Sequence, residues 1–321
     1  MNKQDLKIIF LGTPEFAVES LDRIVKGGYN VVGVVTMPDK PAGRGHKLYQ
    51  SPVKEYALAH GLHLMQPVKL KDPDFILELQ QLNADLFVVI AFRMLPEVVW
   101  SMPPMGTFNL HASLLPKYRG AAPINRAVMN GDSVTGVTTF LLKHEIDTGD
   151  ILRQQSIDIA PDEDCGSVHD RLMMLGADLT IDTINHLLIG DIDPIPQDRL
   201  LGGDTPTPAP KIFAEDLLID WSLPAADIHN MVRGLSPYPA ARATLSINGK
   251  DEIVKILKVK PVDSASNNSL PGTITVDGSS LTVACGNNSA VEVLKLHPAG
   301  KRPMDTADYL RGARLNGAFF K

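Results

Sequence analysis

The sequence predicts a doubly wound, mostly parallel α/β sheet of Rossmann-like rhythm, followed by a small OB-like β-barrel. Three observations carry that expectation. Short apolar runs at 7–11 (KIIFL), 31–36 (VVGVVT) and 86–90 (LFVVI) alternate with amphipathic stretches of helical length, as strands buried on both faces of a parallel sheet do. Residues 190–210 (GDIDPIPQDRLLGGDTPTPAP) hold five prolines and three glycines and interrupt that rhythm. Beyond them, about five short strands separated by turn signals fit into roughly 80 residues, the spacing of a small closed barrel.

Bulk properties narrow the class. A length of 321 residues suits about two domains. Hydrophobic residues make up 44% of the chain, yet no apolar run approaches the ~20 residues needed to cross a bilayer, so a soluble protein with no membrane partner is expected. The start, MNKQDLKIIF, passes from charge into a strand and lacks the apolar core of a signal peptide. Cys165 and Cys285 stand far apart without metal-ligand spacing, which fits a reducing cytoplasm and speaks against a disulfide framework or a metal site. The formal net charge is −6, unevenly spread: residues 211–321 hold 13 Lys and Arg against 11 Asp and Glu, a net of +2, leaving −8 on the rest. A mildly basic C-terminal part can still bind RNA through a local patch, so the total charge decides little.

Taken in order, the first strand ends at Gly12, with an amphipathic helix to about residue 26 and Gly27-Gly28 as its stop. Gly12 is followed by Thr-Pro-Glu-Phe, so the G-x-G-x-x-G turn is missing and a dinucleotide site is excluded. Residues 37–52 (MPDKPAGRGHKLYQSP) carry three prolines, two glycines, Lys40, Arg44, His46 and Lys47 against the one acid Asp39. A connection of this length between strand and helix is unusual in an α/β unit and points to function; a plain solvated loop is the alternative. Helices are expected over 53–60 and 73–82, with a short strand at 63–65 between them.

The stretch 105–124 (MGTFNLHASLLPKYRGAAPI) concentrates the chemistry. It begins as a buried strand, 107–110, on which Asn109 and His111 are two apart and therefore point the same way. Asn carries two amide donors and His titrates near neutrality, a pairing suited to a reaction in which an oxygen gains charge while a proton moves. Ser113-Leu114-Leu115-Pro116 then forms a stiff apolar edge, and Gly120 allows close backbone approach to a ligand. A lone His at a strand end more often satisfies a buried polar group. The pairing with Asn109, and the acid Asp147 downstream, reverse that reading. Segments 136–142 and 151–159 read as extended, joined through the turn Asp147-Thr148-Gly149-Asp150, in which Gly149 is expected to take positive φ.

A long helix is expected over 164–188. After residue 210 come a helix to about residue 235 and strands over 243–247, 252–259, 272–276, 281–284 and 290–296. Asn248-Gly249 and Asp277-Gly278 are the turn signals. Lys295, Lys301 and Arg302 give this part a modest basic edge.

The pattern N-x-H-x-S-L-L-P followed by D-T-G-D resembles the 10-formyltetrahydrofolate-dependent formyltransferases. With R-G-A-A-P-I after it, the chain is most similar to the branch that formylates methionine carried on initiator tRNA, and the likeness runs through nearly its whole length. The resemblance implies transfer of a formyl group from 10-formyltetrahydrofolate to the α-amino group of methionyl initiator tRNA, for translation initiation. It implies Asn109, His111 and Asp147 as catalytic residues and Ser113, Leu114, Leu115 and Pro116 as the folate-binding edge. Asn109 and His111 would steady the developing oxyanion, at about 3–4 kcal/mol per well-placed donor, while Asp147 orients His111 or accepts the amine proton. Arg44 matches the arginine that meets the acceptor end of the tRNA, with Lys40 and Lys47 beside it. Residues 1–189 would be the catalytic domain, 190–210 a semi-rigid linker, and 211–321 a tRNA-binding domain, in a monomer needing no metal. At Ala91-Phe92-Arg93-Met94-Leu95-Pro96 the chain departs from the family, where many relatives carry Ala-Tyr-Gly and one more residue before Leu-Pro, at the wall expected to edge the pterin. A formyltetrahydrofolate hydrolase, or a transferase acting on a small-molecule amine, would share the three catalytic residues. The loop at Arg44 and the C-terminal barrel argue against the first. The C-terminal domain, which the glycinamide enzyme usually lacks, and the want of the dehydrogenase that aminosugar enzymes usually carry argue against the second. The complete triad argues against a non-catalytic binding module.

Overall fold

The apolar runs become the strands of one seven-stranded sheet, in the order Ile151–Asp158, Val134–Leu141, Thr107–His111, Leu86–Ile90, Lys7–Gly12, Asn30–Val35, Leu64–Met65. Pairing is parallel from Thr107–His111 through Leu64–Met65. Val134–Leu141 then runs antiparallel against Thr107–His111, with Asn109 opposite Phe140 and His111 opposite Thr138. The computed structural model describes residues 2–42, 47–203, 205–262 and 269–321. Its contacts divide into two units. The first is Met1–Gly120, Gly136–Ile157 and His169–Pro208, the second Ala121–Thr135, Asp158–Val168 and Ala209–Lys321.

In the first unit, the helix Glu15–Lys26 buries Phe16, Ala17, Ser20, Leu21 and Ile24, one helical stripe. The helix Pro52–Ala59 starts with Pro52 in its first turn and with the Ser51 hydroxyl accepting from the Lys54 N–H, two standard start signals. The helix Cys165–Ile189 is long and apolar enough to cross a bilayer by length and composition. Its inward residues include Leu172, Leu179 and Ile184, and the Thr183 hydroxyl is hydrogen-bonded to that of Thr139 at 2.8 Å. Gly176 admits Leu110, since a Cβ there would stand 2.7 Å from Leu110 Cδ2. Leu110 thus spends one face of its strand on the helix and leaves Asn109 and His111 on the other.

Two parts of this unit go beyond expectation. The stretch 37–52 contains a short antiparallel ribbon, Lys40–Ala42 with Lys47–Tyr49, where no regular element is expected. In the proline-rich stretch, Ile195, Gln197 and Thr207 are tied back to this unit. Ile195 bridges Ile151 through paired 2.8 Å hydrogen bonds, Thr207 O accepts from Tyr118 N at 2.6 Å, and Asp198–Leu201 forms a helical turn.

The second unit is a nearly closed antiparallel barrel, ordered Ile274–Asp277, Ser280–Cys285, Ser289–His297, Lys250–Val262, Ala241–Ile247, Phe319–Phe320. The last strand was not foreseen. It brings the sheet's edges together: Thr273 bridges Phe319, and Gly272 O accepts from Phe320 N at 2.9 Å. Gly272 lies at φ +86°, and a Cβ would fall 2.0 Å from Phe320 O, so only glycine fits this closure. Trp221 stacks on Phe320 over the barrel core, their rings 5.2 Å apart.

The helix Pro123–Met129 packs on Ala225–Leu235 within this second unit. Asn125 Nδ2 donates to Gly234 O at 2.8 Å, and a Cβ on Gly234 would meet Met129 Cγ at 2.4 Å. Residues 158–168 join them, with Gly166 N donating to Ser236 O at 3.1 Å and Arg233 Nη1 to Glu163 O at 3.1 Å. Packing therefore groups two early segments with the C-terminal chain, which no linear reading of composition signals.

Candidate active site

Gly12, Ile90 and His111 end three parallel strands along one edge of the first sheet. From Lys7–Gly12 the chain builds to one side, then returns to build Leu86–Ile90 on the other. Carboxyl ends of strands at such a reversal are where open α/β sheets bind ligands. Asn109 and His111 lie at this edge. The Asn109 side chain is half-buried and has no hydrogen-bond partner among the described residues. His111 is buried, 7% exposed, edge-on to Phe140.

The His111 ring is oriented by one short contact. Its Nε2 lies 2.8 Å from Tyr118 O. A carbonyl only accepts, so Nε2 carries the hydrogen and, in the neutral ring, Nδ1 is left bare. That bare nitrogen faces the acid: Nδ1 is 3.8 Å from Asp147 Oδ2. With its Nε2 hydrogen committed to Tyr118, His111 has a hydrogen to offer an oxyanion only through Nδ1, in its protonated form. In the neutral form of the ring, Asn109 carries the free side-chain N–H groups of the three residues.

Asp147 sits at φ +54°, in the left-handed region where Asp is tolerated better than most residues. The strained residue of the turn is thus Asp147, not Gly149 as expected. Gly149 is required for another reason: a Cβ there would lie 1.5 Å from Leu141 O. The carboxylate is held by the backbone, with Asp147 Oδ2 accepting from Gly120 N at 2.9 Å. Gln197, 2% exposed, holds the turn itself. Its Nε2 donates to Asp147 O and Gly149 O, both at 2.8 Å, and its Oε1 accepts from Arg119 Nε at 3.0 Å and Nη2 at 2.7 Å. Sequence reasoning missed Gln197 because it works through main-chain carbonyls 50 and 48 residues away, from a proline-rich stretch with no periodicity.

Around this group, Ser113 and Leu115 are buried into the fold. Ser113 Oγ donates to Lys117 O at 2.7 Å, and Leu115 N donates to Thr138 Oγ1 at 3.1 Å. Pro116, after a cis peptide, is buried too, whereas Leu114 is half-buried. These residues shape the turn after the strand, and Leu114 is the one of the four with surface to offer. Arg93 points its guanidinium at the carbonyls of Pro67 and Val68, and burial holds its pKa below the usual value. Met94 is exposed beside it.

Arg44 lies outside the described residues, and of Lys47 only the backbone is described. Lys40 is exposed on the ribbon. Asp39, at the ribbon's foot, does not oppose these cations unaided: Lys54 Nζ sits 2.6 Å from Oδ2 and Gln66 Nε2 donates to Oδ1 at 2.9 Å, bonds that lower the carboxyl pKa. Among the described residues, no group of three or more His, Cys, Asp or Glu side chains could hold a metal ion. Both cysteines are buried, with burial pushing the Cys165 thiol up to about 12 and that of Cys285 up to about 11, so neither is poised as a nucleophile.

Comparison with known proteins extends this picture. Residues 6–184 match the formyl transferase family model and residues 211–314 the model of its C-terminal domain. The chain is 52% identical to the methionyl-tRNA formyltransferase of Bacteroides fragilis, over 99% of this chain and 98% of that one. It is 54% identical to the enzyme of that name from Phocaeicola vulgatus, over 98% of both chains. Among solved structures it is similar in fold to a sugar 3N-formyl transferase (TM-score 0.65, 18% identity, 92% of this chain and 98% of that one). It is likewise similar to HypX from Aquifex aeolicus in complex with tetrahydrofolic acid (TM-score 0.61, 17% identity, 94% of this chain and 46% of that one).

Proposed function

Because this chain belongs to the formyl transferase family, we infer that it is an enzyme that moves a formyl group from a folate donor to an amine. We propose 10-formyltetrahydrofolate as that donor and the α-amino group of methionyl initiator tRNA as the acceptor. The product is N-formylmethionyl-tRNA for translation initiation. Relatives at about half identity over essentially the full length, all named for that acceptor, support the choice over a donor hydrolase or a transferase for small amines. The acceptor also sets the location: charged initiator tRNA is met in the cytoplasm, where we place the enzyme as a monomer. Arg44, with Lys40 and Lys47, is the proposed contact for the acceptor end. Residues 211–321 are proposed to extend the contact along the tRNA.

The single observation that carries the chemistry is the bare Nδ1 of His111 facing Asp147. An α-amino group titrates near ~8, so only modest help is needed to free its lone pair. His111 Nδ1 can take that proton without breaking an existing hydrogen bond. The positive charge then lies 3.8 Å from the Asp147 carboxylate, an attraction worth roughly 4 kcal/mol at the effective dielectric of a protein surface. Charge gathers on the formyl oxygen as the amine attacks, and the Asn109 amide, without a partner among the described residues, is the donor proposed to meet it. As the bond from the formyl carbon to the donor nitrogen breaks, the proton taken from the amine passes to that nitrogen and tetrahydrofolate leaves. Leu114 offers the apolar edge against which the donor's ring can rest.

The test is formyl transfer by the purified chain from 10-formyltetrahydrofolate, with charged initiator tRNA, free methionine and water offered as competing acceptors. N-formylmethionyl-tRNA should be the main product. Release of formate alone, or formylation of free methionine at comparable rates, would overturn the proposal.

A further inference from the structure

We infer that Gln197 is a positioning residue for the reaction, holding Asp147 in register with His111. The inference rests on the formyl-transfer reading of the site. Four hydrogen bonds use the whole capacity of the Gln197 amide: two N–H donated to two carbonyls, and Oε1 accepting from the two N–H groups along one edge of one guanidinium. This pattern also fixes the amide's orientation, because a flipped amide would set its oxygen against two carbonyls and its N–H groups against Arg119.

The bonds close a ring. From the Asp147 carboxylate the path runs to the Gly120 N–H, through the adjacent Arg119 to its guanidinium, across Gln197, and back to the Asp147 carbonyl. Asp147 is thereby gripped at its side chain by one end of the ring and at its main chain by the other. That matters because Asp147 occupies positive φ, a conformation that persists only where surroundings over-determine it. Relaxation of the turn would swing the carboxylate away from the His111 Nδ1. Gln197 is 2% exposed in a segment that otherwise offers mostly exposed prolines and charges. Burying so polar a side chain is tolerable only because every polar atom is satisfied.

The test is a set of variants at this position measured on both Asp147 backgrounds. Gln197→Met keeps the volume and removes all four bonds. Gln197→Glu keeps the partnership with Arg119 but turns oxygen against both carbonyls. If Gln197 acts through Asp147, both variants should lower kcat by roughly 10- to 100-fold, with folate affinity within about twofold of the parent. The same substitutions should cost nothing further in an Asp147→Asn enzyme, the coupling expected of residues acting as one unit. A packing role alone would instead leave Gln197→Glu near the parent, or would give equal losses on both backgrounds. Either result overturns the inference, as would parental kcat in Gln197→Met. Amide exchange at Gly120, whose N–H holds the carboxylate, should quicken in Gln197→Met and serves as a readout independent of turnover. A parent enzyme that transfers no formyl group would refute the functional reading. Unchanged Gly120 exchange would then refute the positioning role separately.

Discussion

His111 Nδ1 and Asp147 Oδ2 stand 3.8 Å apart, beyond hydrogen-bond reach, while the same carboxylate oxygen takes the Gly120 N–H at 2.9 Å. The acid is anchored to backbone rather than to the imidazole. It is thus positioned to receive charge on the ring without holding the ring's proton beforehand. On this geometry, Asp147→Asn keeps the size and one acceptor for Gly120 but offers no negative charge. We expect kcat to fall roughly 10²- to 10⁴-fold, the usual weight of a lost acid–base partner, with folate binding retained. Titration of folate binding beside single-turnover transfer measures both; wild-type turnover in this variant would remove Asp147 from the mechanism.

Gly149 gives a prediction of a different kind. A methyl group there would sit 1.5 Å from Leu141 O, a backbone atom that cannot swing aside. Gly149→Ala should therefore destabilise the first unit by about 3 kcal/mol, the upper range for forced overpacking. It should also cut kcat, because Gly149 O and Asp147 O share the Gln197 amide. Thermal unfolding and turnover together check it, and a variant as stable and active as the parent would mean the turn is laxer than its geometry states.

His229 should make stability depend on pH. Its pKa is lowered chiefly by burial and next by Arg233, against the opposing pull of Asp162 at 3.2 Å. A folded pKa below the unfolded one means that the unfolded chain binds the proton first. Stability is then full above the unfolded value near 6.5 and declines as pH falls below it. The urea midpoint should accordingly drop between about pH 7.5 and about pH 5.5, and part of that drop should vanish in His229→Gln. An identical pH slope in the variant would show that other groups carry the effect.

How much of this was legible in the residues differs from one feature to the next. The period of two put Asn109 and His111 on one face, and the structure keeps them there because Leu110 is taken up by Gly176 of the helix behind. Asp147 was legible through the motif that contains it. Its left-handed backbone was not, since an Asp-Thr-Gly turn can bend at either end. Gln197 was invisible, because a side chain that serves distant carbonyls leaves no periodic or compositional trace. The barrel's closing strand, Phe319–Phe320, is too short to show an alternation and pairs with residues more than forty positions earlier.

The basic loop yields a prediction from sequence and resemblance. Arg44→Ala should raise KM for the tRNA roughly tenfold or more, the cost of a lost charge-assisted contact, and leave the KM for the folate donor unchanged. Kinetics with each substrate varied in turn will decide. A change confined to the donor would assign the loop to the folate side instead.

The last prediction concerns residues 1–205 expressed alone. Length by itself suggests that about 200 residues can bury a core unaided. The packing argues for a weaker outcome. In the intact protein Met129 packs against the barrel core, Asn125 bonds Gly234, and Gly166 bonds Ser236. Cutting at 205 strips the helix Pro123–Met129 and residues 158–168 of all these partners. The fragment should still form the sheet around Leu86–Ile90, but with a lower unfolding temperature than the intact chain and with new binding of an apolar dye. Its tRNA affinity should fall as well. If two phosphate contacts leave with the C-terminal part, the slope of log affinity against log salt should flatten by roughly 1–2 units. Dye binding, unfolding temperature and a salt series on both proteins make the comparison. Equal unfolding temperatures would show that the early segments need no cover from residues 209–321, and equal slopes would show that the barrel does not meet the RNA backbone.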